Sequence, residues 1–576
     1  MQHLLFIALA LAFTTIAAET TTPARDALAA PRKKIISLGW AKSTPKDLAE
    51  NLALIEGSTP YDGMHVHLVG EQTVDGASKK YSSRFPFQSE SWPYSAFAES
   101  IGYLQGLRPS RPLELFIMTT TRSGPHDWFS DDYWAQVCNN FGLIARIARE
   151  TGCRGIIFDA EDYHDSGHLF AYAPDAGVSY EDMKVKARQR GREWIAAMGD
   201  AYPDMTLFAP FWISLVYPFG DNPNAIGSRS CALFPAFLNG VYDALPPGMT
   251  IVDGHESYFY RSGNLHQVMH AAGYFRAHFL QLIAPENRSR ALAQTQMAAA
   301  IYLDAFFPTN LNDPKNRWDL YPGADDVSRQ RHLRNVLFHC LAIADEYVWT
   351  WGERVVWWPQ NKADALNQRL PGLNASMRSV KSVEEAEAVI AALPSYENLL
   401  ANGNFETAAA PAVRDAAGKP PPPPGWNVWD EEREERKGAF HLTPGAGCSG
   451  SAAMTGVDFA RGGCAITNVA VQPGDILLLR GKARCEENAA GEVTAAWKRT
   501  ATGGWVWDNY QAPLVRASLK TVPGSEWREC KTLIIVPDQI EGLGLQLGIG
   551  RQRPGQDKIH YDDFELIRLP SPAPGP

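Results

Sequence analysis

From Lys33 to about Pro359, short apolar runs alternate with longer amphipathic stretches, and no other feature of this chain restricts its fold as much. The runs Lys34–Trp40, Gly63–Val69, Leu113–Thr120, Gly155–Ala160, Thr206–Ile213, Thr250–His255, Ala299–Phe306 and Tyr347–Trp351 have the length and composition of strands. Between them, Pro45–Glu56, Tyr133–Glu150 and Glu181–Ala201 repeat apolar residues at three and four positions, as helices do. Eight strand–helix units in succession predict an α/β protein with a parallel sheet. A doubly wound open sheet alternates in the same way. Closure into a (β/α)8 TIM barrel suits eight strands spread over roughly 320 residues better, since such barrels take about 250 residues plus insertions. The barrel is expected over residues 33–360.

Beyond it the pattern changes. Residues 361–396 read as a helical linker, centred on Ala365 to Ser395. From 397 to 569, short alternating runs broken by Gly, Pro and Asn read as an all-β jelly-roll sandwich. Pro420–Pro424 form an extended polyproline surface loop within it, and residues 570–576 form a disordered tail.

The N-terminus passes from Met1-Gln2-His3 through the apolar stretch Leu4 to Ala18 into Glu19-Thr20-Thr21-Thr22. Residues 1–18 read as a signal peptide with Ala17 and Ala18 at the cleavage point, which makes the protein secreted or periplasmic. No later segment reaches the roughly 20 apolar residues of a membrane span. The formal charge of −10 and the lack of a long basic run argue against a nucleic-acid partner. Of the 8 Cys, none form a CxxC pair, so no zinc knuckle is expected; Cys448–Cys464 or Cys485–Cys530 bridges and free buried thiols are equally open. The 17 Trp matter because flat aromatic faces pack against the C–H groups of sugar rings, although Trp also fills large cores.

In a barrel of this kind the chemistry sits where the strands end and the loops converge. The fourth strand runs Gly155-Ile156-Ile157-Phe158-Asp159-Ala160-Glu161. Asp159 and Glu161 are two apart, so they share a face. Two carboxyl groups that close hold their protons differently, which suits an acid beside an anionic partner. The sixth strand supplies Asp253 and His255 on one face, followed by Glu256 and Tyr258. Glycosidic cleavage uses two carboxyl groups, about 5–5.5 Å apart for retention and about 6.5–9.5 Å for inversion. Asp159, Glu161, Asp253 and Glu256 are the catalytic candidates. Substrate-binding candidates are Trp40, His65, His67, Trp212, His255, Tyr258, Asp304, Trp349, Trp351 and Glu353. Each Trp among them is alternatively a plug of the barrel.

The run Phe158-Asp159-Ala160-Glu161 resembles the end of the strand-four motif of family 18 chitinases, in which Asp-x-Glu carries the acid and an Asp that orients the substrate's acetamido group. Ile157 stands where that family has a further Asp. The arrangement also looks like barrels of the α-galactosidase clan, by which Asp159 would attack and Asp253 would protonate. Asp62-Gly63-Met64-His65-Val66-His67-Leu68 resembles the His-x-His opening of amidohydrolase barrels, which implies a metal-dependent hydrolase as the rival reading. Over about 170 C-terminal residues, Asn398–Glu406, Gly425-Trp426 with Trp429, Val471–Asp475 and Tyr561–Glu565 look like carbohydrate-binding modules of families 4, 9 and 22. That resemblance implies pairing of the first and last strands and a structural calcium held by Glu406 and Asp563. Trp505 and Trp507, on one strand face, offer either a glycan platform or core packing.

The expectation is a secreted glycoside hydrolase acting on a poly- or oligosaccharide through carboxylate acid/base chemistry, with no cofactor for catalysis. Glu161 is the expected proton donor and Asp159 the nucleophile or substrate orienter. A glycan-binding protein without catalysis is the third reading. The oligomeric state is left open.

Overall fold

A computed structural model describes residues 33–39, 43–121, 126–161, 168–173, 177–216, 227, 230–307, 319–352, 373–407, 423–430, 439–448, 450–457, 462–486, 491–499, 504–506, 518–520, 524–549 and 558–571. Residues 1–32, Trp40, Glu353, Pro420–Pro422, Trp507 and residues 572–576 lie outside the described residues; of the polyproline run, Pro423 is buried and Pro424 exposed. The described residues from Lys33 onward belong to one unit.

The first strand, Lys34–Gly39, pairs in parallel with both Gly63–Val66 and the eighth strand, Tyr347–Gly352. The series continues through Glu114–Thr120, Gly155–Asp159, Thr206–Ala209 and Thr250–Asp253, all parallel. The seventh strand is broken. Thr295–Met297 pairs with the sixth strand and Ala299–Tyr302 with the eighth, while the Ala298 N–H donates to the Asp253 carbonyl at 2.8 Å between them. The two pieces of the seventh strand thus bridge the sixth and eighth, and the strands form a near-closed barrel. The expected strand Thr206–Ile213 ends at Ala209 and gives way to a 3-10 turn at Ile213–Leu215, and Ala299–Phe306 ends at Tyr302 before a short helix, Leu303–Phe306.

Register and ring contacts show which strand face is inside. Phe116, Phe208 and Tyr347 meet across the barrel, with centroids 5.7, 6.0 and 5.8 Å apart. Trp349 lies 6.4 Å from Phe208, is fully buried, and donates its indole N–H to the Gly254 carbonyl at 2.9 Å. It plugs the barrel. The opposite face of the fourth strand carries Phe158, which packs on Trp194 at 5.0 Å in the helix layer. At the closed end, the Lys34 ammonium lies 2.5 Å from Glu114 and 2.6 Å from Glu346.

The helices start where their capping residues dictate. Thr44 accepts from the Asp47 N–H at 3.1 Å while Asp47 accepts from the Thr44 N–H at 2.9 Å, with Pro45 in the first turn of Pro45–Ser58. Helices Tyr180–Ala201 and Phe234–Ala244 approach closely because a glycine lies at each contact: a Cβ on Gly191 would meet the Phe237 carbonyl oxygen at 2.2 Å, and one on Gly240 the Arg188 oxygen at 1.9 Å. In the linker region, Leu373–Arg378 and Val383–Ala391 are helical.

The C-terminal part holds two antiparallel sheets. One has the order Asn427–Asp430, Gly462–Ala470, Ile540–Ile549, Gly491–Arg499, Trp505–Val506, with Ser518–Lys520 on the same edge. The other runs Ala439–Thr443, Ala453–Val457, Lys558–Arg568, Ile476–Cys485, Gly524–Ile535. Alternate residues of both sheets face a shared core that includes Leu479, Val493, Leu545, Tyr561 and Leu566. Asn398 bridges Ile567, and the Leu399 N–H donates to the Leu566 carbonyl at 2.9 Å, so the beginning and end of this part pair as expected. Ile476, Leu478, Ile535, Ile567 and Leu569 join the barrel's core, which docks the sandwich on the barrel. Every cysteine is a free thiol, which is the second of the two alternatives that the sequence left open. Among the described residues no helix is long and apolar enough to cross a membrane.

Candidate active site at the barrel mouth

The fourth strand delivers Asp159 to the mouth. Phe158 faces the helices, so Ile157 and Asp159 face inward by strand alternation. The segment is held from the third strand: the Thr121 N–H donates to the Asp159 carbonyl and its hydroxyl to the Glu161 carbonyl, each at 3.1 Å. The Glu161 N–H donates to Asp159 Oδ1 at 3.0 Å. Burial, then the charge of Glu161, pushes the Asp159 carboxyl up to about 7, against the opposing pull of that N–H and of Arg84. At neutral pH it is poised between acid and base.

The second strand brings His65 to the same mouth. His65 pairs with Phe116, which lies inside the barrel, and its Nδ1 is 3.4 Å from the Ser37 carbonyl. Burial, then the neighbouring His67, lowers His65 to about 4, so its ring is neutral at ordinary pH. The His67 N–H donates to the Ser43 carbonyl at 3.0 Å. Arg84, which the sequence reading missed, acts electrostatically on both His65 and Asp159. Its carbonyl accepts from the Thr120 N–H at 3.1 Å and the Thr120 hydroxyl at 2.7 Å, which ties the loop after the hairpin Val69–Val74/Ala77–Ser82 to the third strand. Nothing in the sequence set it apart from Lys79 and Lys80 just before it.

Four expectations need correction. Asp253 does not face the mouth: Val252 registers with the inward Phe208, so Asp253, beside Ala209, points to the helix layer. It is fully buried, accepting from the Ser214 hydroxyl, from the Ser214 N–H at 2.9 Å and from the His255 N–H at 3.0 Å. Burial lifts it to about 6 against these bonds. Its role is to hold the turn at Ser214 and the left-handed residue His255, at φ 53°. His255 is itself buried, stacked on Tyr258 at 5.5 Å and edge-on to Phe259, and does not reach the mouth. Trp212 is buried in the helix layer, 5.9 Å from Phe234, with its N–H given to the Tyr242 hydroxyl at 3.1 Å. Trp349 is the barrel plug described above.

The remaining described candidates lie at or just after the C-terminal ends of the sixth, seventh and eighth strands. Trp351 is half-buried above Trp349, 6.5 Å away and edge-on, in register with Tyr302; Tyr302 stacks on Tyr260 at 4.9 Å. Glu256 opens the short helix Glu256–Phe259, and its N–H donates to the Pro210 carbonyl at 3.3 Å beside the fifth strand. Tyr258 stacks between His255 and Tyr274, and burial pushes its hydroxyl up to about 12. Asp304 is buried in the helix Leu303–Phe306.

The cation expected in the sandwich can be tested on its donors. Asp563 meets a thiol and an ammonium: Cys448 Sγ lies 2.9 Å and Lys482 Nζ 3.1 Å from its Oδ2. Asp562 accepts from the Cys448 N–H at 2.8 Å, whereas Glu406 is exposed and stands outside this group. Burial works against the Asp563 charge, but its bonds from Cys448 and Lys482 prevail and hold it below the usual carboxylate range. A donor set with a thiol, already neutralised by Lys482, does not suit calcium, which takes six to eight oxygens. Among the described residues, this is the one group of three ligating side chains, so His65 and His67 belong to no such cluster.

The class that the fold defines is an α/β barrel with an appended antiparallel sandwich. No family model matches the chain, and no curated protein matches it. Among solved structures, it is similar to the enzymatically active domain of bacteriophage CBA120 tailspike protein 4, at 11% identity and TM-score 0.22 over 30% of this chain and 21% of that one. It is similar to the CBM22-1-GH10 modules of the Clostridium thermocellum endo-1,4-beta-D-xylanase 10B, at 12% identity and TM-score 0.20, over 26% of this chain and 27% of that one. The CBM22-1 xylan-binding domain of Paenibacillus barcinonensis Xyn10C aligns at 15% identity and TM-score 0.22, over 31% of this chain and 98% of that one. The chain thus spans about a quarter or less of the first two. Likenesses of this strength assign no activity.

Proposed function

We propose that this chain is an exported carbohydrate-active enzyme that hydrolyses O-glycosyl bonds of a poly- or oligosaccharide at the barrel mouth. One observation carries the reading: an inward-facing carboxyl at the end of the fourth strand, Asp159, lifted to about 7 beside Glu161. A carboxyl that keeps its proton near neutral pH is what glycosidic cleavage asks of its acid, because the leaving alkoxide must be protonated as the C–O bond breaks. In this assignment Asp159, not Glu161, donates the proton, and the charge of Glu161 keeps that proton in place. Water adds to the anomeric carbon and gives its proton to a second carboxylate, for which Glu256, at the adjoining rim, is the candidate. The neutral His65 and the guanidinium of Arg84 supply hydrogen bonds to sugar hydroxyls.

The test is turnover of a polysaccharide and glycoside panel by the native chain and by Asp159→Asn, Glu161→Gln and Glu256→Gln. Removal of a working acid should cost about 10²-fold or more in kcat/KM. Glu161→Gln should also move the basic limb of the pH profile downward, since it removes a charge that raises Asp159. Unchanged turnover in Asp159→Asn refutes the assignment. Metal-dependent turnover abolished by chelation would favour the amidohydrolase-like reading, and glycan binding without turnover would leave a binding protein.

A further inference from the structure

A cleft of about 1010 Å³ opens between the barrel's outer helices and the sandwich, away from the groups assigned to chemistry. It is at the upper end of the volumes, about 300–1,000 Å³, in which proteins hold small ligands. One wall is the helix Asp326–Ile343, which presents His332, Asn335 and His339 at spacings of three and four, hence on one face. The other wall is the sandwich, through Trp497 and the loop carrying Asp538. Sandwich and barrel share one core beside it, so both walls are fixed.

His339 is the observation that points to a ligand. Its side chain is 6% exposed, lines the cleft, and its Nδ1 finds no hydrogen-bond partner among the described residues. Asn335 Oδ1, one helical turn earlier, is likewise buried and unpartnered among them. Both atoms are closed to solvent as the side chains stand, and leaving them unpaired costs about 1–3 kcal/mol each, so a turn of either side chain that brings its atom to an occupant of the cleft is favoured. Burial keeps the His339 ring neutral at ordinary pH, and a neutral imidazole beside an amide oxygen suits groups that both donate and accept. Hydroxyls do both. Next to them, Tyr321 and His332 stack with centroids 3.9 Å apart and planes within 7°, a flat aromatic surface of the kind that sugar C–H groups pack against. Asp538 and Arg499 put opposite charges on the sandwich wall, which favours a neutral ligand over an anion. The side chains here do not converge as metal ligands, since the one such cluster among the described residues is at Cys448.

We propose that this cleft is a second, non-catalytic binding site for a neutral saccharide, with His339 and Asn335 bonding its hydroxyls and the Tyr321–His332 pair receiving a ring face. The site rests on the carbohydrate reading for its ligand class, but its test needs no turnover. In the full chain carrying Asp159→Asn and Glu161→Gln, cellotetraose, xylotetraose, mannotetraose and maltotetraose are titrated by calorimetry at pH 7. At least one should bind. Adding His339→Leu, which swaps an unpartnered polar ring for an apolar side chain and should not lower the melting temperature, should weaken that binding at least tenfold. Asp538→Ala, at an exposed position that cannot unfold the core, should weaken it severalfold. Binding of none of the four, or binding that survives both changes at full strength, overturns the site. If the otherwise native chain turns over no glycoside while His339→Leu still abolishes tetrasaccharide binding, the cleft stands and the hydrolase reading falls.

Discussion

Replacing Asp159 by Asn should stabilise the protein, by an amount that depends on pH. Burial, aided by Glu161, lifts this carboxyl from 3.8 to about 7. In the unfolded chain it returns to its ordinary value, so between these two values the folded state binds more protons than the unfolded one. Stability is therefore greatest below pH 4 as far as this group is concerned, falls as pH rises through the window up to about 7, and levels off above it. At 1.36 kcal/mol per pH unit the whole effect has a ceiling of about 4 kcal/mol. The group sits at a mouth open to solvent, which screens part of it and leaves about 2 kcal/mol as the working expectation. Asn needs no ionisation, and its Oδ1 still accepts from the Glu161 N–H. Urea unfolding of both proteins, followed by tryptophan fluorescence at pH 4 and pH 8, reads the effect, because the difference between variant and native cancels the titration of every group that does not interact with Asp159. The variant should gain about 2 kcal/mol more at pH 8 than at pH 4. An equal difference at the two pH values, or a smaller one at pH 8, would show that Asp159 ionises as freely in the folded protein as in the unfolded chain.

Asp253→Ala should behave as a structural lesion, costing about 3 kcal/mol or more, because it strands the N–H groups of Ser214 and His255; thermal melting checks this, and a loss of turnover at native stability would return the residue to the chemistry. Gly240→Ala drives a Cβ to 1.9 Å from the Arg188 carbonyl oxygen and should lower stability by about 3 kcal/mol. By contrast Gly102→Ala, in the helix Ala98–Gly106 with nothing within 4 Å, should raise it by about 1 kcal/mol, and urea midpoints of the two should move in opposite directions. Lys381→Met removes a buried ammonium 2.7 Å from Asp62 and should cost about 3–5 kcal/mol, much of which Asp62→Asn in the same chain should restore on remelting.

Local periodicity in the sequence was enough to place the barrel strands, most within a residue or two, to separate the barrel from the sandwich, and to group Asp159 with Glu161 and His65 with His67. Alternation is a property of the backbone and survives any packing. What it does not contain is which face turns inward. In a parallel barrel both faces are apolar, one against the interior and one against the helices, so Asp253 and Trp212 look no different in sequence from residues of the mouth. Register with neighbouring strands decided that Phe208 and Val252 point in and Asp253 points out. The same holds for Trp349, whose indole became a plug because Phe208 lies beneath it. Arg84 and the cleft at His339 join segments far apart in the chain, and such meetings arise only when the barrel closes and the sandwich docks on it.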